Sequence, residues 1–213
     1  MSEKFLNLNQ DKQKSVIDAA IHEFSRLGYD KASTDTIAMA AGISKGSLFN
    51  YFTSKLKLYS YALEYAIELI NKEVREEVVQ ISDTDFYDRL KKISLIKHKK
   101  YMKYPEEAQL ITTFFINPPQ INDDILKNLR KKYEEDAVFA EEYLMKYLDE
   151  KKLRKGITKE EVLFITHTLF EALIKRQLEI ASVQDNVKFA YSDQTMAEFD
   201  KYIEIIKHGI YTD

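Results

Sequence analysis

Turn-making residues are scarce in this chain. It holds five glycines and three prolines in 213 residues, where average usage, roughly 12% Gly plus Pro, would give about 25. Sandwiches, barrels and doubly wound sheets need many tight turns. The shortage therefore predicts an all-α chain of long helices with few joints. Cysteine is absent, which excludes a disulfide framework, a thiol nucleophile and any cysteine-ligated zinc or iron–sulfur centre. With 31% charged and 12% aromatic residues, the composition is not that of a disordered chain. A net charge of −3 rules out a uniformly basic protein but leaves room for a local basic patch. The segment Met1–Lys14 has no apolar run ahead of a small-residue cleavage site. The longest apolar stretch, Leu110–Ile116, is too short to span a bilayer. A cytoplasmic protein with no membrane partner is expected.

Helical spacing dominates. Ile17, Ala20, Ile21, Phe24 and Leu27 share one face of a first helix, which Gly28 is expected to stop. Ser33 or Thr34 can cap a short second helix with Ile37, Ala38 and Ala41, broken by Gly42. Ser44 can cap a third, and Ser54 a long fourth running to about Val78. After a polar joint at Ser82–Asp85, a fifth helix is predicted over Phe86–Tyr104 and a sixth from Pro105 to Ile116. Asn117-Pro118-Pro119 breaks the chain before a seventh over 123–153. The capping box Thr158-x-x-Glu161 opens an eighth beyond Gly156, with the polar stretch Gln184–Lys188 near its end. A ninth lies near Asp193–His208. About nine helices result, with no strand, repeat or low-complexity tract.

Three of the five glycines, Gly28, Gly42 and Gly46, fall within 19 residues. That clustering predicts a compact N-terminal unit of short helices, 1–53, followed by a larger helical domain, 54–213. Two short helices joined at Gly42-Ile43 behind a longer support have the spacing of a helix-turn-helix, whose second helix enters the major groove. On the third helix Leu48 and Phe52 face the core, while Gly46, Ser47, Phe49 and Asn50 point away and Lys45 reaches out from the edge. Gly46 has no side chain to hold the backbone off DNA. Ser44–Ser60 carries Lys45, Lys55 and Lys57 and no acid, whereas residues 57–213 carry 25 bases against 29 acids. An acidic body with a basic tip orients itself on DNA, because phosphate attraction is the sequence-independent part of binding.

Residues 14–58 resemble the DNA-binding domain of the TetR family of bacterial regulators. The likeness rests on Ala20 with Phe24 and Gly28-Tyr29, on Ile37-Ala38-x-x-Ala41-Gly42, on Ser44-Lys45-Gly46-Ser47-Leu48, and on Tyr51-Phe52 and Ser54-Lys55. It implies that Thr34 holds a phosphate, that Lys45, Gly46, Ser47, Phe49 and Asn50 line the groove, and that Tyr51 and Lys55 grip the DNA backbone. The family often has Tyr where this chain has Phe49, which can touch a thymine methyl or pack but cannot donate to phosphate.

The resemblance also implies a homodimer through the last two helices, so Leu169, Phe170, Leu173, Ile174, Phe199, Ile203 and Ile206 are expected in the interface or the adjoining core. It places a ligand chamber among the fourth to seventh helices. Ten aromatics, Phe139 among them, lie between Phe86 and Tyr147. Tyr61, Tyr65, Tyr101, Tyr104, Ile111, Phe114, Phe115 and Tyr143 are the candidate lining for a small hydrophobic or amphipathic effector. None of His22, His98, His167 and His208 sits at i, i+4 from another His. Adjacent acids such as Glu106-Glu107 do not face one another on a helix. No catalytic site, metal site or cofactor is expected. The basic run Lys97–Lys103 is expected to be a solvated face, with a contact to an acidic ligand or DNA as the alternative. The overall expectation is a ligand-responsive transcriptional regulator, a repressor, on a palindromic double-stranded DNA operator. The alternatives are a DNA-binding regulator without a small ligand and a helical interaction module without DNA binding.

Overall fold

A computed structural model describes residues 2–82, 85–116, 118–121, 123–183 and 193–210. The side chains of Phe139, Phe170 and Ile174, and the stretch Gln184–Lys188, lie outside the described residues. The chain is all-helical: α1 (Glu3–Leu6), α2 (Gln10–Lys31), α3 (Thr34–Ala40), α4 (Lys45–Phe52), α5 (Lys55–Val78), α6 (Phe86–Lys103), α7 (Pro105–Ile116), α8 (Asp124–Met145), α9 (Lys159–Val183) and α10 (Asp193–Ile210), with a single 3-10 turn at Glu150–Lys152. No strand occurs among the described residues.

Local chemistry sets most of these boundaries. Asn9, Ser33 and Ser44 cap α2, α3 and α4, each side chain accepting from the backbone N–H three residues on. Thr158 and Glu161 form the expected capping box, the Thr158 N–H donating to Oε2 at 2.8 Å and the Glu161 N–H to Oγ1 at 3.2 Å. Three expectations need correction. The four-residue α1 has no counterpart among the helices expected from the sequence, because one turn gives no periodicity. The stop expected at Gly28 is a break rather than a final end: its φ +68° and ψ 175° are non-helical, as expected, but one more helical turn follows to Lys31. The helix expected to reach residue 153 ends at Met145, where the chain turns into the Glu150–Lys152 segment.

Two compact units divide the described chain. The first comprises Met1–Lys72 and Tyr104–Lys132, the second Glu73–Lys103 and Tyr133–Asp213. The division expected after residue 53 falls inside the first unit, and α5 contributes to both. In the first unit α7 packs along α2, joined by a 2.8 Å contact between His22 Nδ1 and Glu106 Oε1. Val16, Ile17, Ala20, Ile21 and Phe24 of α2, Leu58, Ala62, Leu63 and Ala66 of α5, and Leu110 and Phe114 of α7 are buried. The second unit has its own core of Phe86, Tyr87 and Leu90 from α6, Leu148, Leu153, Val162 and Leu173, and Phe199, Ile203 and Ile210 from α10. Within it, the Tyr87 and Thr166 hydroxyls satisfy each other through a hydrogen bond of 3.3 Å.

Candidate nucleic-acid interface

The site is built from the turn outward. Helix α3 ends in a Schellman motif: Ile43 N–H donates to the Ala38 carbonyl and Gly42 N–H to that of Met39, both at 3.0 Å. The motif needs a left-handed residue, and Gly42 supplies it at φ +62°. Lys12, from α2, sets its ammonium against the same turn, 3.0 Å from the Ala41 carbonyl and 3.1 Å from that of Gly42. A cation at a helix C-terminus is favoured by the aligned peptide dipoles. The turn angle therefore rests on a residue 29 positions upstream, which no local motif could reveal.

Beyond the turn, α4 packs through Leu48 and Phe52, each 1% exposed. Its other side stays open: Lys45, Gly46 and Asn50 are exposed, and Ser47 and Phe49 partly so. This is the division that the helical wheel predicts. A Cβ added at Gly46 would meet only Ser44 Oγ, at 3.8 Å. Nothing inside the protein demands a glycine there; its effect is to leave the first turn of α4 bare for close approach from outside. Lys45 is held in the free protein by Asp35 of α3, at 2.9 Å. Thr34 opens α3 with Ser33 as its cap, which settles the alternative left by the sequence. Lys55 lies 4.8 Å above the Tyr29 ring and donates to the Asp30 carbonyl at 3.1 Å. Tyr51 is partly buried, and its carbonyl accepts the Ser2 N–H at 3.0 Å.

Behind α4 lies an anchor that sequence reasoning missed. Phe5 of α1 is 0% exposed. Its ring centroid lies 5.8 Å from that of Tyr51, 4.8 Å from Phe52 and 5.7 Å from Tyr61. Tyr61, a candidate for the ligand lining, thus packs under the reading helix. A second joint couples α4 to α5: Thr53 adopts φ +55°, and Ser54 N–H closes a tight turn on the Phe52 carbonyl at 2.5 Å.

The other ligand candidates divide between the two units. Tyr65, Tyr104, Ile111, Phe114 and Phe115 belong to the first, where Ile111 and Phe114 are fully buried. There the Arg130 guanidinium stands 5.4 Å from both the Phe114 and Phe115 rings. Tyr101 and Tyr143 belong to the second. Tyr143 accepts from the buried Arg89 guanidinium at 2.5 Å and from the Tyr147 hydroxyl at 3.3 Å. The Tyr147 bond and the Arg89 charge draw its pKa down. Tyr101 is hydrogen-bonded to Tyr133, whose pKa burial raises.

Of the residues expected at the dimer interface, Leu173, Phe199 and Ile203 sit in the core of their own subunit, with Leu169 and Ile206 packed beside it. The exposed apolar residues on these helices are others: Phe164, 71% exposed, and Ile165 on α9, with Ile205 on α10. The available signal was that α9 carries apolar residues all around its circumference, more than one core can cover. No cluster of potential metal ligands occurs among the described residues, and no helix of the described chain is long and apolar enough to cross a membrane.

The fold and this exposed, turn-anchored α4 define an all-helical DNA-binding protein of the helix-turn-helix type. Residues 16–62 match the model for bacterial regulatory proteins of the tetR family. The HTH-type transcriptional regulator BetI of Brucella suis is 24% identical over 191 residues, covering 88% of this chain and 95% of its own. RutR of Escherichia coli K12, another HTH-type transcriptional regulator, is 28% identical over 130 residues, 59% of this chain and 58% of its own. A transcriptional regulator from Saccharomonospora viridis, solved in complex with choline, superposes with a TM-score of 0.72 at 15% identity, covering 97% of this chain and 100% of that one. A TetR family regulator from Chloroflexus aurantiacus gives 0.68 at 20%, covering 100% and 99%. Residues 16–62 thus match the DNA-binding segment of the tetR family, and the whole chain shares the all-helical fold of regulators of that kind.

Proposed function

We propose that this protein is a cytoplasmic, homodimeric repressor that binds a palindromic operator and releases it when a small amphipathic ligand binds. The observation that carries the reading is the face of α4. It is open, free of acids, bare at Gly46 and flanked by Lys45 and Lys55. The roles expected for Thr34, Ser47, Phe49, Asn50 and Tyr51 form part of this proposal.

The dimer is assigned to α9 and α10. Phe164, Ile165, Thr168 and Ala172 form an exposed stripe on α9, and Ile205 is exposed on α10. A palindromic site requires such a two-fold partner. Response to a ligand is supported by a structural neighbour of the same fold that was solved in complex with a small molecule, choline. Helix α5 is the element suited to carry the message. Its 24 residues make a rod of about 36 Å, so a pivot of about 5° displaces one end by about 3 Å. Ligand-induced loss of affinity follows if the ligand favours a conformer with the wrong spacing of reading helices.

Selection of bound sequences from a random duplex pool at low salt tests the proposal. The expected product is an inverted repeat with half-site centres about one helical turn, roughly 34 Å, apart or a multiple of it. A pool that shows no enrichment, or a lone asymmetric half-site, refutes it.

A further inference from the structure

Lys12 stands at the wrong end of its own helix. Asn9 caps α2, and the backbone N–H that its side chain accepts, at 2.8 Å, is that of Lys12. Lys12 is therefore the third residue of α2, where the peptide dipoles favour an acid and a capping box would place Glu or Gln. A lysine there works slightly against its own helix. Its reason lies elsewhere in the first unit. The side chain crosses to the end of α3 and gives two of its three N–H donors to the Ala41 and Gly42 carbonyls, at 3.0 and 3.1 Å. Ser15, one turn along α2, sets its hydroxyl 3.5 Å from the same Ala41 carbonyl.

The backbone of the turn satisfies the Ala38 and Met39 carbonyls by itself. The Ala41 and Gly42 carbonyls are held from outside, by α2. Gly42 is exposed, so water could replace the lysine there at little cost in stability. What water does not supply is a fixed point. Burial of Leu48 and Phe52 holds α4 down, but the hydrophobic effect is non-directional; directed bonds at the turn are what fix an angle. Helix α4 starts three residues past Gly42. Its eight residues extend about 12 Å, so a tilt of about 10° at the turn moves the far end by about 2 Å. A hydrogen bond to a base edge does not survive such a shift.

We propose that Lys12 is a positioning residue for operator reading: without touching a base, its hold on the Ala41 and Gly42 carbonyls sets the angle at which α4 meets DNA, and with it the preference for operator over random sequence. This inference rests on the DNA-reading role proposed above for α4.

The test compares the full-length wild type with Lys12→Met on two duplexes of equal length, the selected operator and a random sequence, by anisotropy over a KCl series. Lys12→Met is expected to weaken operator binding roughly fivefold or more, the loss of part of a base contact. Random-duplex affinity should stay within about twofold, with an unchanged salt slope. A general loss of stability would weaken both duplexes alike. A lysine that held a phosphate would also weaken both, and its loss would make the salt slope shallower by about 0.9 per phosphate. Amide exchange of the DNA-free protein is the second measurement. The Gly42 and Ile43 N–H groups should exchange about fivefold faster or more in Lys12→Met, while those of Ile21 and Phe24, in the buried stretch of α2, keep wild-type protection and show that the variant folds. The inference is overturned if the operator-to-random ratio is unchanged, if both affinities fall together, if the turn amides exchange at the wild-type rate, or if Ile21 and Phe24 lose protection too. If wild type is selective and Lys12→Met equally so, only the inference falls. If wild type itself prefers no sequence, the DNA-reading proposal falls and takes the inference with it.

Discussion

If α4 reads DNA as proposed, Asp35 should act as a brake on binding, and its removal should give a gain of function that can be estimated. In the free protein its carboxylate holds Lys45 Nζ at 2.9 Å, with the side chains 66% and 55% exposed respectively. An ion pair that wet is worth about 0–1 kcal/mol. Lys45 must give it up to reach into the groove and towards the phosphates at its edge. The carboxylate is then left unpaired near the phosphates, and for a separation on the order of 7 Å two like charges in water repel by roughly 0.6 kcal/mol. Asp35→Asn removes both effects, a total of about 0.6–1.5 kcal/mol for each reading helix. Since about 1.4 kcal/mol is tenfold, operator affinity should rise about threefold to tenfold per helix. Fluorescence anisotropy with the selected duplex, repeated over a series of KCl concentrations, measures this directly. Lys45→Ala should weaken binding and reduce the salt slope by about 0.9 for each phosphate that is no longer neutralised. In the double variant only the repulsion remains to be relieved, so the Asp35→Asn gain should shrink. If Asp35→Asn weakens binding instead, Asp35 touches the DNA itself, for instance by accepting from a cytosine amino group, and the proposed role of Lys45 is wrong.

Gly46→Ala separates folding from reading: with only an ordinary 3.8 Å contact for the new Cβ, melting should show about 0.5–1 kcal/mol of added stability from helix propensity, while operator affinity falls; an unchanged affinity would refute the close-approach role. Phe5→Ala empties a fully buried site and should cost about 3–5 kcal/mol in chemical denaturation; a loss under about 1 kcal/mol would mean that α1 does not anchor α4. Phe164→Asp, at a side chain 71% exposed, should leave the monomer folded yet halve the mass measured by light scattering, and an unchanged mass would place the dimer elsewhere. Burial raises the Glu107 pKa. For an acid this means a stability penalty that is absent below the unfolded value, about 4.3, and fully present above the raised folded one. Glu107→Gln should therefore raise the Tm at pH 7 and lose that advantage below about pH 4; equal Tm values at neutral pH would contradict it.

What could be read from the residues was whatever is local. Caps at Ser33, Ser44 and Thr158, the break around Pro118-Pro119, and the inward placement of Leu48 and Phe52 each depend on neighbours within a few positions. What escaped was set at long range. Lys12 acts on a turn 29 residues away, and Phe5 sits beneath Tyr61. The candidates on α9 and α10 show the same limit. Periodicity identified apolar stripes there, but only packing could tell Leu173 and Phe199, turned into their own core, from Phe164 and Ile205, turned outward. The run Lys97–Lys103 looks uniform as a string of letters. It separates into distinct environments only when Glu73 and Glu77 are brought opposite part of it.

The two-residue joint at Thr53-Ser54 leaves no play between α4 and α5. A β-branched residue at φ +55° is held against its own steric preference, so the joint behaves as a stiff elbow rather than a swivel. Any tilt of the rod must turn the hand at its end through a comparable angle. A glycine there would relax the elbow, and a regulator built that way could keep its grip on DNA while its body moved.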